Sequence, residues 1–150
     1  MERETETVTL AEEDTHHLEE TLHTHLQIQR NHSYEILTLE NGHARVRMQT
    51  KLSEQIDESA YIYEASLFSC ANFCAVASVN EKDSHLISAR IDFLDPVRVE
   101  DESVLFEATA TTTSSGKKHI DVVGTVRGIV VFESSFVTIK LDNRSLLKED

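Results

Sequence analysis

The chain contains few of the residues that bend or cross-link a backbone. Its 150 residues include one proline, four glycines, two cysteines and no tryptophan. Two cysteines exclude a disulfide-rich scaffold, and no His or Cys spacing matches a metal-binding motif. No proline-rich or glycine-rich linker divides the chain, so its length fits one domain. Hydrophobic residues make up 39% of it, as in an ordinary globular protein.

Basic residues are also scarce. The chain has 14 Lys and Arg against 27 Asp and Glu, which gives a net charge of −13. A nucleic-acid backbone and an anionic membrane surface both require clustered cations, so this composition argues against either partner. The first residues, MERETETVTLAEED, have no apolar core of a secretory signal. We therefore expect a soluble, cytoplasmic protein with reduced thiols.

One stretch lacks charge altogether. Residues 65–80 read ASLFSCANFCAVASVN. At about 100° per residue, Ala65, Phe68 and Asn72 fall on one face of a helix whose other positions are small or apolar. The pattern predicts a helix buried almost all round, too short and polar to span a membrane. Asn72 must find a hydrogen-bond partner there, and we expect either a ligand or a backbone group to supply it.

Six runs with strand-like alternation flank this helix. Residues 34–39 and 43–49 precede it and are joined by Asn41-Gly42, a strong hairpin signal. The four that follow it are residues 85–93, 104–110, 119–126 and 129–141. The side chains expected to face inward on the first of these four are Ile87, Ala89, Ile91 and Phe93. The last run changes phase near Ser134, which predicts a bulge.

An acidic helix is predicted ahead of the first strand, from Thr9 to about Gln27. Thr9 and Glu12 form a capping-box pattern, and three leucines supply a thin apolar stripe. The predicted organisation is an acidic N-terminal helical segment (1–30), one α+β domain (31–142) and a C-terminal tail (143–150). In that domain a long antiparallel sheet wraps around the hydrophobic helix.

Two stretches resemble the hotdog-fold superfamily of acyl-CoA thioesterases and acyl-CoA-binding proteins. They are YEASLFSCANFCAVA, which resembles the central helix of that superfamily, and FLDPVRVEDESVLFEATA, which resembles a passage between two strands. Together with VRGIVVFESSFVTI, they are most similar to the effector domain of the malonyl-CoA-responsive repressor of fatty-acid synthesis. The resemblance covers about residues 33–141. It implies a hotdog fold, an acyl-CoA ligand, a homodimer with sites between subunits and a role in fatty acid metabolism.

The chain departs from these relatives at the site. Asn72 replaces the acidic catalytic position of the helix, and the repressor's DNA-binding domain has no counterpart among the matched residues. Where thioesterases of this fold often have a His-Gly-Gly turn, this chain has Tyr63, Glu64 and Ala65. Tyr63 and Glu64 also stand where the repressor has a basic residue for the malonyl carboxylate. A dehydratase of this fold would need a histidine before the helix, and LSEQIDESAYIY has none.

The resemblance selects candidate site residues. Asn72 can donate to a carbonyl or orient a water, but it cannot act as a base. Glu64 is the candidate catalytic base, unless it only complements the helix dipole. The other ligand-binding candidates are Tyr63, Ala65 and Phe68 near the helix start, and Arg98, Lys117 and Lys118 for the phosphates of coenzyme A. Cys70 and Cys74 are expected to be buried packing residues.

Two functions therefore remain open. The first is a non-enzymatic acyl-CoA-binding protein, a sensor or regulatory partner, which the asparagine and the missing turn favour. The second is an acyl-CoA thioesterase that uses Glu64 or another acid, with Asn72 as an orienting group. Neither requires a metal or a cofactor other than the coenzyme A thioester itself, as ligand or substrate.

Overall fold

A six-stranded antiparallel sheet packs around one long helix in the computed structural model, which describes residues 17–113 and 115–141. The helices are α1 (Leu26–His32) and α2 (Glu64–Val79). The strands are β1 (Glu35–Glu40), β2 (His43–Gln49), β3 (Ser84–Phe93), β4 (Ser103–Thr112), β5 (Lys118–Val126) and β6 (Ile129–Lys140). Their order is β1-β2-β4-β5-β6-β3, and α2 contacts all six. The predicted α+β architecture is confirmed.

The central helix is buried on all sides but one. The residues of α2 that have lost nearly all contact with solvent are Leu67, Cys70, Ala71, Phe73, Cys74, Ala75, Val76, Ala77 and Ser78. In contrast, Ala65 is exposed, and Phe68, Ser69 and Asn72 are half-buried. These four lie within about 100° of one another around the axis, so they define one open face of α2.

Gly124 on β5 lets two aromatic rings meet in the core. The rings of Phe106 on β4 and Phe132 on β6 pack edge to face, with centroids 5.4 Å apart. A Cβ atom added at Gly124 would lie 2.8 Å from Cε1 of Phe106 and 3.0 Å from Cβ of Phe132. A side chain at this position would therefore push one of the rings out of its place.

We expect Gly124→Ala to lower the free energy of unfolding by about 1–3 kcal/mol, because the added methyl group overpacks the core. Urea denaturation followed by circular dichroism measures this change. Thr109→Val, on the exposed outer face of β4, is the matched control and should change stability by less than about 0.5 kcal/mol. Equal stability of the two variants would show that the ring contact is not tight.

One strand departs from the predicted alternation at Ile87. The register of β3 on β6 shifts between Leu86 and Ser88, so Ile87 is an extra residue, and its side chain is 48% exposed. The expectation that Ile87 faces inward was therefore wrong. The bulge restores the pairing phase beyond it, and the ring of Phe93 packs edge-on against Phe132 at 5.5 Å. Ala89 and Phe93 nevertheless stay exposed, because β3 lies at the edge of the sheet.

The bulge in the last strand lies nearer its start than predicted. Gly124 pairs with Phe132 while Thr125 pairs with Val130, which leaves Val131 as the extra residue. The phase change predicted near Ser134 therefore occurs at Val131. The physical cause of this bulge is Gly124. It is the one glycine within the strands, and Phe132 must face the helix directly opposite it.

The N-terminal segment is not one continuous helix. Residues 17–20 are helical, the backbone leaves the helix over residues 21–25, and α1 follows separately. The cause is Asn80, the residue after α2: its Oδ1 accepts a 2.7 Å hydrogen bond from the His23 amide and its Nδ2 donates to the Thr21 carbonyl at 3.0 Å. This contact holds the segment against the end of α2 and buries Leu22. The predicted cap at Thr9 and Glu12 lies outside the described residues.

Candidate functional site

Two loops meet in front of the first turn of α2. The Ile62 amide donates to the Val97 carbonyl at 2.8 Å, and the Val99 amide donates to the Ala60 carbonyl at 2.9 Å. The passage after β3 can turn towards α2 because Pro96 cannot continue the strand ladder. These bonds fix the helix start, which carries Glu64, at the end of the sheet where β5 turns into β6.

An apolar cavity of about 240 Å³ opens beside this helix start. Its lining residues are Ile56, Tyr61, Ile62, Glu64, Leu67, Phe93, Asp95, Pro96 and Val97. Glu64 and Asp95 supply the two carboxylates of this lining. Large apolar side chains remain exposed around it, with Ile56 51%, Phe93 45% and Leu94 52% exposed. The cavity can therefore hold a short apolar chain with a carboxylate at its rim.

Asn72 lies further along α2, on its open face. Its Oδ1 is closed to solvent and has no hydrogen-bond partner in the described part of the chain. On one flank the ring of Phe68 stacks on Phe136 of β6, with centroids 6.1 Å apart. On the other flank the hydroxyls of Ser69 and Tyr34 share a 2.9 Å hydrogen bond. Burial raises the pKa of Tyr34 to about 12, so it remains a neutral hydroxyl at physiological pH.

The structure does not bring Glu64 and Asn72 together. Eight residues of helix separate them by about 12 Å along the axis and about 80° around it. Tyr63 and Ala65 lie beside Glu64, and both are exposed, Tyr63 by 56%. The helix therefore carries two separate groups of candidates, one at its first turn and one around Asn72.

The predicted phosphate contacts also lie apart. Arg98 is beside the helix start, where its guanidinium donates to the Tyr61 hydroxyl at 3.0 Å and lies 4.9 Å from the centre of that ring. Lys117 and Lys118 are at the opposite end of β5, and Lys118 Nζ donates to Thr112 at 2.8 Å. Nine strand residues span about 30 Å, so these cations cannot bind one phosphate within one chain.

Both cysteines are buried, as predicted. The Cys74 thiol lies 3.5 Å from the carbonyl oxygens of Ala44 and Phe106 and donates a weak hydrogen bond. Burial is the main cause that raises the pKa of both Cys70 and Cys74. Since the thiolate is the reactive form, neither residue suits a nucleophilic role.

We expect neither cysteine to react with 5,5′-dithiobis(2-nitrobenzoic acid) at pH 8 in the folded protein, because the thiols are buried and protonated. Both should react at once in 6 M guanidinium chloride, which serves as the internal control. Rapid release of one equivalent of thionitrobenzoate from the folded protein would contradict the structure and make that cysteine a candidate nucleophile.

Two further features are absent from residues 17–113 and 115–141. No cluster of three His, Cys, Asp or Glu side chains is placed to hold a metal ion there. Within the same residues, no helix is long and apolar enough to cross a membrane.

Superposition on solved structures shows that the chain has the hotdog fold. Cj0977, a sigma28-regulated virulence protein from Campylobacter jejuni, superposes with a TM-score of 0.81 and 26% identity, over 87% of this chain and 92% of that chain. A hypothetical thioesterase protein with coenzyme A from Streptococcus pneumoniae TIGR4 superposes with a TM-score of 0.63 and 17% identity, over 70% of this chain and 83% of that chain. Both neighbours share the fold of this chain, and the second of them is a hypothetical thioesterase with coenzyme A.

Sequence comparison adds one curated relative. Methylthioribose-1-phosphate isomerase from Aquifex aeolicus (strain VF5) is 30% identical over 121 residues, which is 80% of this chain but 26% of that protein. The chain therefore spans about a quarter of the length of the curated relative that it matches. No family model matches the chain.

Proposed function

We propose that this protein binds an acyl-CoA thioester along the open face of α2 and serves as a sensor or regulatory partner rather than as an enzyme. The observation that carries the proposal is the buried, unpartnered Oδ1 of Asn72. A buried polar atom without a partner costs stability, and a bound ligand is one group that can supply the missing hydrogen bond. A hotdog neighbour with coenzyme A supports the choice of ligand.

The surroundings of Asn72 suit the other parts of such a ligand. In this proposal the thioester lies near Asn72 and Phe68, and the coenzyme A moiety extends towards the first turn of α2. Arg98 lies at the same end of the molecule and is more than one-third exposed. We therefore assign Arg98 to a phosphate of a coenzyme A bound to the same chain. Lys117 and Lys118 could contact that phosphate only from another chain.

The separation of Glu64 from Asn72 favours binding over hydrolysis. A general base must lie within hydrogen-bond reach of its water, and the water must lie beside the carbonyl that it attacks. A thioester held by Asn72 is about 12 Å from Glu64 along the helix. The alternative function, an acyl-CoA thioesterase, is supported by the position of Glu64 at the rim of the apolar cavity, provided that the thioester lies there instead.

A second copy of the chain is part of the proposal. The outer edge of β3 pairs with no strand of the described chain, because β3 ends the sheet and its one neighbour is β6. Such an edge is normally paired or covered in solution. Ile87, Phe93 and Leu94, all about half exposed, lie on or beside this strand. We propose a homodimer in which the two β3 strands pair, so that the ligand lies at the seam.

Native mass spectrometry after incubation with acyl-CoA thioesters of increasing chain length tests these proposals together. We expect a dimer that retains intact acyl-CoA, because no base lies beside the thioester. The spectrum reports the subunit number, the bound mass and the state of the thioester at once. A monomer that binds with full affinity would overturn the proposed dimer. A chain that retains no acyl-CoA and consumes none would overturn the proposed ligand.

Consumption of acyl-CoA would favour the thioesterase instead. Release of free coenzyme A with multiple turnovers would then direct attention to Glu64. In that case Glu64→Gln should abolish turnover while leaving the protein folded. Asp95→Asn is the matched control, since its carboxylate lines the same cavity without lying on α2.

We expect Asn72→Ala to weaken acyl-CoA binding by about 1–3 kcal/mol, because a hydrogen bond to the ligand is lost. Isothermal titration calorimetry of the folded variant measures the loss. Ser66→Ala, on the same helix but about 120° away around its axis, is the control and should bind as the wild type does. Unchanged affinity of Asn72→Ala would make Asn72 a structural amide.

A further inference from the structure

A second buried oxygen of the described chain lacks a partner. Thr138 on β6 has no solvent exposure, and its Oγ1 accepts and donates no hydrogen bond within the described residues. Asn72 Oδ1 and Thr138 Oγ1 are the two buried side-chain oxygens without a hydrogen-bond partner among the described residues. The sequence alone does not single out Thr138, although it stands two residues after Phe136 in the inward phase of the strand.

The two oxygens lie on contacting elements, each close to one shared ring contact. Phe68 of α2 stacks on Phe136 of β6, which fixes one point of contact between the elements. Both elements run from the end of the sheet with the β5–β6 turn towards the opposite end. Asn72 is one helical turn beyond Phe68, and Thr138 is two strand residues beyond Phe136. Each step is about 6 Å, so both side chains lie one short step from the same ring contact, and the two oxygens do not hydrogen-bond to each other.

The chemistry of the pair selects the group that would satisfy it. The Asn72 oxygen only accepts, whereas the Thr138 hydroxyl can donate. A single secondary amide meets both demands, because its N–H donates and its carbonyl accepts. The pantetheine arm of coenzyme A contains such an amide two carbon atoms from the sulfur. The Nδ2 of Asn72 is then left for the thioester carbonyl.

We propose that Asn72 and Thr138 form a two-point site for the pantetheine amide nearest the thioester, which makes Thr138 a ligand-binding residue. This inference rests on the proposed binding of acyl-CoA. Both oxygens are closed to solvent in the unliganded chain, so a neighbouring side chain must move on binding. Phe68 is only half-buried and lies one turn from Asn72, which places it to swing aside.

The isosteric variant Thr138→Val separates binding from folding. It removes the hydroxyl but keeps the shape and the branched Cβ. We expect the unliganded variant to unfold at a higher urea concentration than the wild type, because an unsatisfied buried hydroxyl has become a methyl group. We expect its affinity for acyl-CoA, measured by calorimetry, to fall about five- to tenfold. Thr138→Ser keeps the hydroxyl and should retain affinity close to that of the wild type.

Each alternative result has a distinct meaning. If the wild type and Thr138→Val bind acyl-CoA equally, the two-point site is wrong while the proposed function stands. If the wild type binds none, both are wrong. If Thr138→Val is less stable than the wild type without ligand, the hydroxyl already has a partner, such as a buried water, and the inference fails at its premise. Should the valine variant not fold, Thr138→Ala provides the comparison of affinity.

Discussion

Burying an uncharged helix inside a sheet is the constraint on which this structure depends. A helix with sheet on most of its circumference cannot carry a charge on the covered sides, and its polar atoms must find partners within the core. Ser78 meets this demand by donating to the Ala75 carbonyl at 2.6 Å, and the Cys74 thiol donates to carbonyls of β2 and β4. The inward phase of every strand follows from the need to cover this one surface.

Asn72 and Thr138 are the described residues that break this rule. Elsewhere in the described core, buried side-chain polar atoms are paired, so these two departures stand out physically. Proteins commonly violate local stability rules at functional sites. The two orphaned oxygens therefore define a candidate site more specifically than an exposed surface cleft does.

Local alternation predicts all six strands to within two residues, because each strand buries one periodic face, and the run without charge predicts the central helix. Local alternation fails where a distant residue sets the geometry. The break after residue 20 depends on Asn80, which is 57 residues away from His23. The bulge at Val131 depends on Gly124 across the sheet. Asn72 stands out within an uncharged run, whereas Thr138 gains meaning only once strand order places β6 beside that helix face.

Pairing along β3 would connect ligand binding to subunit assembly. In the proposed homodimer, the open face of α2 borders β3, the strand that forms the seam. Lys117 and Lys118, which lie far from Arg98 within one chain, are then also supplied by the second chain. A ligand held at the seam stabilises the dimer, and dimer formation in turn raises the affinity for the ligand. The two free energies are equal. Such reciprocity needs no catalytic group. Under the proposed function, a site with Asn72 at its centre and Glu64 about 12 Å away along the helix would report the presence of a thioester through its assembly state.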